Sequence, residues 1–178
     1  MPETTPLSPN RLVQADLFTA SYRISGRVPV TITGLTSMLN NPNTSLLSVE
    51  DVYLSRIHQA GNIAGYHAAA QMVKHTLLAV LLPRRDDLGV RPSVARGGYT
   101  QTVPNRVLIT CGTLEVHGTL EGTGKPNFAG LMAEGAHGFF PLYNVTLNPV
   151  LYPDTQLRGE ACLINRAWID LFTALEEK

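Results

Sequence analysis

Two stretches of the chain alternate between apolar and polar positions. Phe18, Tyr22, Ile24 and Val28 fall on one side of the first, with Thr19, Ser21, Arg23, Ser25 and Arg27 on the other. In the second, Leu114, Val116 and Leu120 oppose Thr113, Glu115, His117 and Thr119. A period of two predicts a half-buried strand in each. An offset of 92 superposes Gly26 on Gly118.

The match extends to two further blocks, as expected of an internal duplication. The segment from Leu35 to Leu54 aligns with that from Phe128 to Leu147 at an offset of 93; eight of nine apolar positions coincide, where a 44% apolar chain gives about four by chance. Leu35, Met38 and Leu39, like Phe128, Leu131 and Met132, follow helical spacing for one turn. Asn40, Asn41 and Pro42, and Gly135 in the second copy, stop that turn, and strands follow over Leu46 to Ile57 and Phe139 to Leu147. The third block aligns the run from Ala70 with the run from Ala161 at an offset of 91, each broken by a polar corner: Lys74, His75 and Thr76 in one, Asn165 and Arg166 in the other. Two short strands joined at a bend account for it.

The pattern predicts an all-β chain with short helical turns, organised as two tandem homologous small β-barrel-like domains. The expected division is a flexible N-terminal segment 1–15, a first domain 16–83, a Pro/Gly/Arg-containing linker 84–106 and a second domain 107–178. A unit of about 70 residues buries little by itself, so the copies, or copies from two chains, are expected to pack on each other. Charge sharpens this division. The 14 basic and 14 acidic residues cancel overall, but the chain through Leu82 carries +1, Pro83 to Arg106 carries +3 and the remainder carries −4. A solvated tether is the plain expectation, and attraction of the basic linker to the acidic second copy is the alternative.

Composition excludes several classes. With 16% charged residues and no net charge, the broad basic footprint of a non-specific nucleic-acid binder is absent. No apolar run approaches the ~20 residues of a membrane-spanning helix. Met1 to Asn10 lacks the basic start and apolar stretch of a secretory leader. Two cysteines, Cys111 and Cys162, make no disulfide framework, so a cytoplasmic protein with buried thiols is expected.

Two resemblances rest on particular residues. Leu35 to Leu54, with Ser37, Leu39, Asn40, Leu47, Asp51 and Val52 at the motif positions, looks like a group of uncharacterised bacterial small β-domains that carry an S-x-x-L-N turn followed by an L-x-x-x-D-V strand. That resemblance implies a fold unit and no mechanism. Met72 to Pro83 is similar to the last two strands of the bacterial Sm-like RNA chaperone family, Hfq, in which a Lys-His pair occupies the corner between strands. It implies that Lys74 and His75 could line an RNA-contacting rim.

Candidate chemistry is sparse. The run from Gly118 to Pro126 contains Gly-Lys, but Pro126 stands where a phosphate loop needs Ser or Thr for magnesium, so a turn is the stronger reading. His58, His67, His75, His117 and His137 show no metal-ligand spacing, and neither cysteine has a partner fixed by sequence. No catalytic, cofactor or metal residue is expected. The sequence points to a non-enzymatic interaction or regulatory module that binds a protein partner or itself, with Lys74, His75, Asn165 and Arg166 as candidate contacts. The alternatives are an Sm-like RNA binder and a small-ligand site in a polar cleft between the copies, near His67, Lys74 and His75.

Overall fold

The computed structural model describes residues 11–89, 102–133 and 138–175. Its strands and helices are β1 (Arg11–Phe18), β2 (Tyr22–Val30), α1 (Gly34–Leu39), β3 (Leu46–Arg56), β4 (Ile63–Val73), β5 (Ala79–Leu82), β6 (Val103–Cys111), β7 (Leu114–Gly122), α2 (Phe128–Ala133), β8 (Phe139–Pro149), β9 (Leu157–Asn165) and β10 (Ile169–Ala174). The strands join into one antiparallel sheet in the order β10-β6-β7-β8-β9-β5-β1-β2-β3-β4. The all-β expectation therefore holds, but closure into barrels does not. The two edges of β5 are taken by β1 and β9, and those of β9 by β5 and β8, so neither strand is left to close its half.

The join between the halves explains the strongest apolar runs in the sequence. Val80 and Leu82 of β5, with Ala161 and Leu163 of β9, enter a core built mainly from β1, β2 and β3. Ala79 and Leu81, with Cys162 and Ile164, enter a second core built mainly from β6, β7 and β8. Both strands thus bury both faces, and a strand buried on both sides reads as a continuous hydrophobic run rather than an alternation.

Each half bends at a matched place. Asp51 in β3 and Asn144 in β8 have left-handed backbones, with φ of 48° and 50°. Opposite them the β2–β3 register shifts between Ser25 and Arg27, and the β7–β8 register between His117 and Thr119. Each shift falls at a glycine. A Cβ on Gly26 would lie 2.6 Å from Val49 Cγ1 and 2.9 Å from the Glu50 carbonyl; one on Gly118 would lie 3.1 Å from Val145 Cγ2 and 3.3 Å from the Tyr143 carbonyl. A bulge with Asp or Asn in the left-handed region, facing a residue with no side chain, folds the long strand back over the core.

Several boundaries differ from expectation. Residues 11–15, assigned to a flexible N-terminal segment, are the first part of β1, with Val13 and Ala15 buried; residues 1–10 lie outside the described residues. The first alternating block is two strands in each half, because β1 ends at Phe18 and β2 begins at Tyr22, as β6 ends at Cys111 and β7 begins at Leu114. The linker is shorter than 84–106, since Val103 to Arg106 already belong to β6 and Arg85–Leu88 form a 3-10 turn; residues 90–101 lie outside the described residues, as do Gly135 and His137. In the third block Leu47 pairs with Met72 and Phe140 with Ile164, so the structural offset is 92 rather than 91. Burial on both faces of β9 removed the alternation that would have fixed its register.

Candidate functional site

The four candidate contact residues lie at two matched corners. β4 leaves the sheet through a 3-10 turn at Lys74–Thr76, and β9 through one at Arg166–Trp168. Pairing of β5 with β9 brings the corners together: Asn165 Nδ2 donates to the Leu77 carbonyl at 2.8 Å, and Trp168 Nε1 donates to the His75 carbonyl at 2.7 Å. Two of the four are committed internally. The Lys74 side chain is buried, and its ammonium donates to the carbonyls of Met38 at 3.0 Å and Asn41 at 2.7 Å and to Thr44 Oγ1 at 3.0 Å. Three hydrogens meet three acceptors, and they satisfy carbonyls at the end of α1. Burial lowers the pKa of this ammonium. Asn165 is buried as well, its Oδ1 accepting from the Ala167 amide at 3.1 Å. His75 is exposed, and the half-buried Arg166 guanidinium sits 5.7 Å over the Phe140 ring. The corner is therefore largely a structural joint.

A second joint residue does what a strand backbone would do. Asn40 Nδ2 donates to the Phe139 carbonyl at 2.9 Å, and its Oδ1 accepts from the Phe139 amide at 2.8 Å, tying the end of α1 to β8. The sequence marks Asn40 as a helix stop; its reach across the join depends on a fold no local pattern encodes. The small-ligand alternative requires a polar cleft between the halves; the join is instead lined by buried Leu78, Leu81, Leu163 and Ile164. His67 lies away from it on β4, the far edge of the sheet.

The linker is fixed at its start. Asp87 is buried, held by Arg11 and by Arg84, whose Nε and Nη2 donate to it at 3.2 and 3.1 Å. Arg85 Nη2 donates to both Glu121 oxygens at 2.6 Å, its amide donates to Glu160 Oε2 at 3.0 Å, and its guanidinium lies 3.8 Å over the Tyr143 ring. The attraction between basic linker and acidic second half is thus realised at Arg85.

The remaining reactive groups are muted. Burial, with the Asp170 charge adding to it, pushes the Cys111 thiol up to about 12, and burial raises Cys162 well above its usual value. Cys162 also feels Cys111, so the two thiols share one core as neighbours. Such thiols are poor nucleophiles. His117 Nε2 lies 2.8 Å from Glu115 Oε1 on the surface. Among the described residues no cluster of His, Cys, Asp and Glu could hold a metal ion, and no helix is long and apolar enough to cross a membrane.

Among the described residues, the sheet has two edge strands with a neighbour on one side only, β4 and β10. β4 spans eleven residues, Ile63–Val73, with no charged residue, no proline and no fully buried position; Ile63 and Tyr66 are 64% and 54% exposed. The matching strand β9 is covered by β5, and its residues Ala161 to Asn165 are all buried. β10 is shorter, at six residues. Asp170 on it accepts a hydrogen bond from the Gly112 amide at 2.8 Å. Comparison with protein-family models, with curated proteins and with solved structures finds no match.

Proposed function

We propose that the chain is a tandem duplication of a five-stranded β-unit and serves as a non-enzymatic, cytoplasmic protein-interaction module that accepts a partner strand along β4. The recurring order, β5-β1-β2-β3-β4 and β10-β6-β7-β8-β9, supports the duplication, as do the matched bulges at Asp51 and Asn144. The observation that carries the interaction reading is β4 itself. Sheet edges that must stay single are blunted by charge, proline, a short length or a bulge; β4 has no charge or proline and is long, and its one register shift lies at its start, between Ile63 and Gly65, leaving Gly65–Val73 regular. Its exposed N–H and C=O groups are a template for strand addition, in which the backbone supplies affinity and alternate side chains supply selectivity.

A photo-crosslinking residue placed at His67 or Gln71, both exposed on β4, tests this in the cells that make the protein. The expected result is a discrete protein adduct from these positions and none from exposed Asn144. No adduct from any β4 position, with a ribonuclease-sensitive adduct from His75, would overturn it in favour of RNA binding.

A further inference from the structure

The β5·β9 join shows what this fold does with an edge, and its unused counterparts are β4 at one end of the sheet and β10 at the other. Repeating the join from chain to chain would place β10 of one molecule on β4 of the next. The side chains oppose that. Phe18, Leu78 and Leu81 project into the second core at the join. By the matched registers Ala79↔Phe18 and Leu171↔Thr110, their counterparts beside β10 are Thr110, Asp170 and Thr173. A charge and two hydroxyls replace three large apolar groups, which is how terminal units of a repeat are kept single. β4 resists the same geometry from its own side. In the join a Cβ on Gly159 would lie 2.5 Å from the Leu82 carbonyl, and the β4 residue at that position is His67.

These observations leave β4 as the edge open to pairing, and they bear on what pairs with it. Its eleven residues are uncharged, so laying β4 antiparallel on β4 of another molecule sets no like charges opposite one another. Both strands then have the same length, and the exposed Ile63 and Tyr66 of each gain neighbours. Such a contact is isologous and closes at two. Resting on the interaction reading above, we propose that β4 pairs antiparallel with β4 of a second copy of this chain, giving a twofold dimer with β10 at its two outer ends.

The test is a charge swap followed by sedimentation and native mass spectrometry. The whole chain is expected to show a concentration-dependent dimer and no larger species. Ala69→Lys and Ala69→Glu, each melting with the native chain when all are diluted to monomer, are each expected to stay monomeric where the native chain dimerises, and mixing them restores a one-to-one dimer. Leu171→Lys on β10 is expected to leave the dimer intact. Larger species abolished by Leu171→Lys, or no recovery on mixing the two Ala69 variants, would overturn self-pairing through β4. A chain that stays monomeric while His67 still crosslinks to a different protein removes the self-pairing alone, whereas a monomer with no β4 adduct removes the interaction reading with it.

Discussion

Individual residues set the bend and the neutrality of the core. Gly26 and Gly118 were legible as matched positions of the two alternating stretches; the contacts that require them come from strands more than twenty positions away. Gly26→Ala pushes a methyl group against backbone as well as side chain, and Gly118→Ala meets looser contacts. Overpacking of this kind costs about 1–3 kcal/mol, so denaturant unfolding is expected to show a larger loss for Gly26→Ala than for Gly118→Ala. The thiols predict a pH dependence. Cys111 is raised from the ordinary 9.0 to about 12 in the folded chain, so its contribution is fully present below pH 9 and is lost as pH rises through about 12. Each such thiol steepens the fall by up to about 1.4 kcal/mol per pH unit. Comparing unfolding of the native chain with the Cys111→Ala, Cys162→Ala variant between pH 9 and 11 should show the shallower slope in the variant. Equal slopes would mean that the thiols ionise freely in the fold.

At the scale of elements, alternation located β2 and β7, helical spacing located α1 and α2, and the polar corner located the turns after β4 and β9. The first strand of each half was missed for a physical reason. The alternation of Val13, Ala15 and Leu17 is carried partly by an alanine, and that of Val107 and Ile109 begins inside a segment rich in proline and arginine. Of the candidate contacts, Lys74 was legible as a special residue but not as an internal one, because its three acceptors come from the α1 end and the loop after it. Asn40 carries the sharpest prediction here. Asn40→Ala leaves the amide and carbonyl of Phe139 without these partners in a half-buried place, and each unsatisfied group costs about 1–3 kcal/mol. Asn40→Asp restores the acceptor alone. The expected order of thermal stability is native, then Asp, then Ala; an alanine variant as stable as the native chain would show that this amide does not hold α1 to β8.

For the whole molecule, the matching patterns of the two halves were legible but the way the halves join was not. Two small barrels joined by a tether would each keep a separate core, whereas here β5 and β9 lend alternate residues to both cores and the halves become one sheet. That choice is made by pairing between strands far apart in the sequence, β5 and β9, which no local pattern records. It also decides where function is to be sought, since sharing β5 and β9 buries one pair of edges and, among the described residues, leaves β4 at the end of the sheet. The most direct test of this account is residue-resolved hydrogen exchange on the whole chain at a dilution where it is monomeric. The hydrogen-bonded amides of Ala79–Leu82 and Ala161–Ile164 are expected to exchange only through global unfolding, while the outward-facing amides of β4 exchange orders of magnitude faster. Outward β4 amides as slow as those of β5, or β5 and β9 exchanging together through an opening far below the global stability, would contradict it.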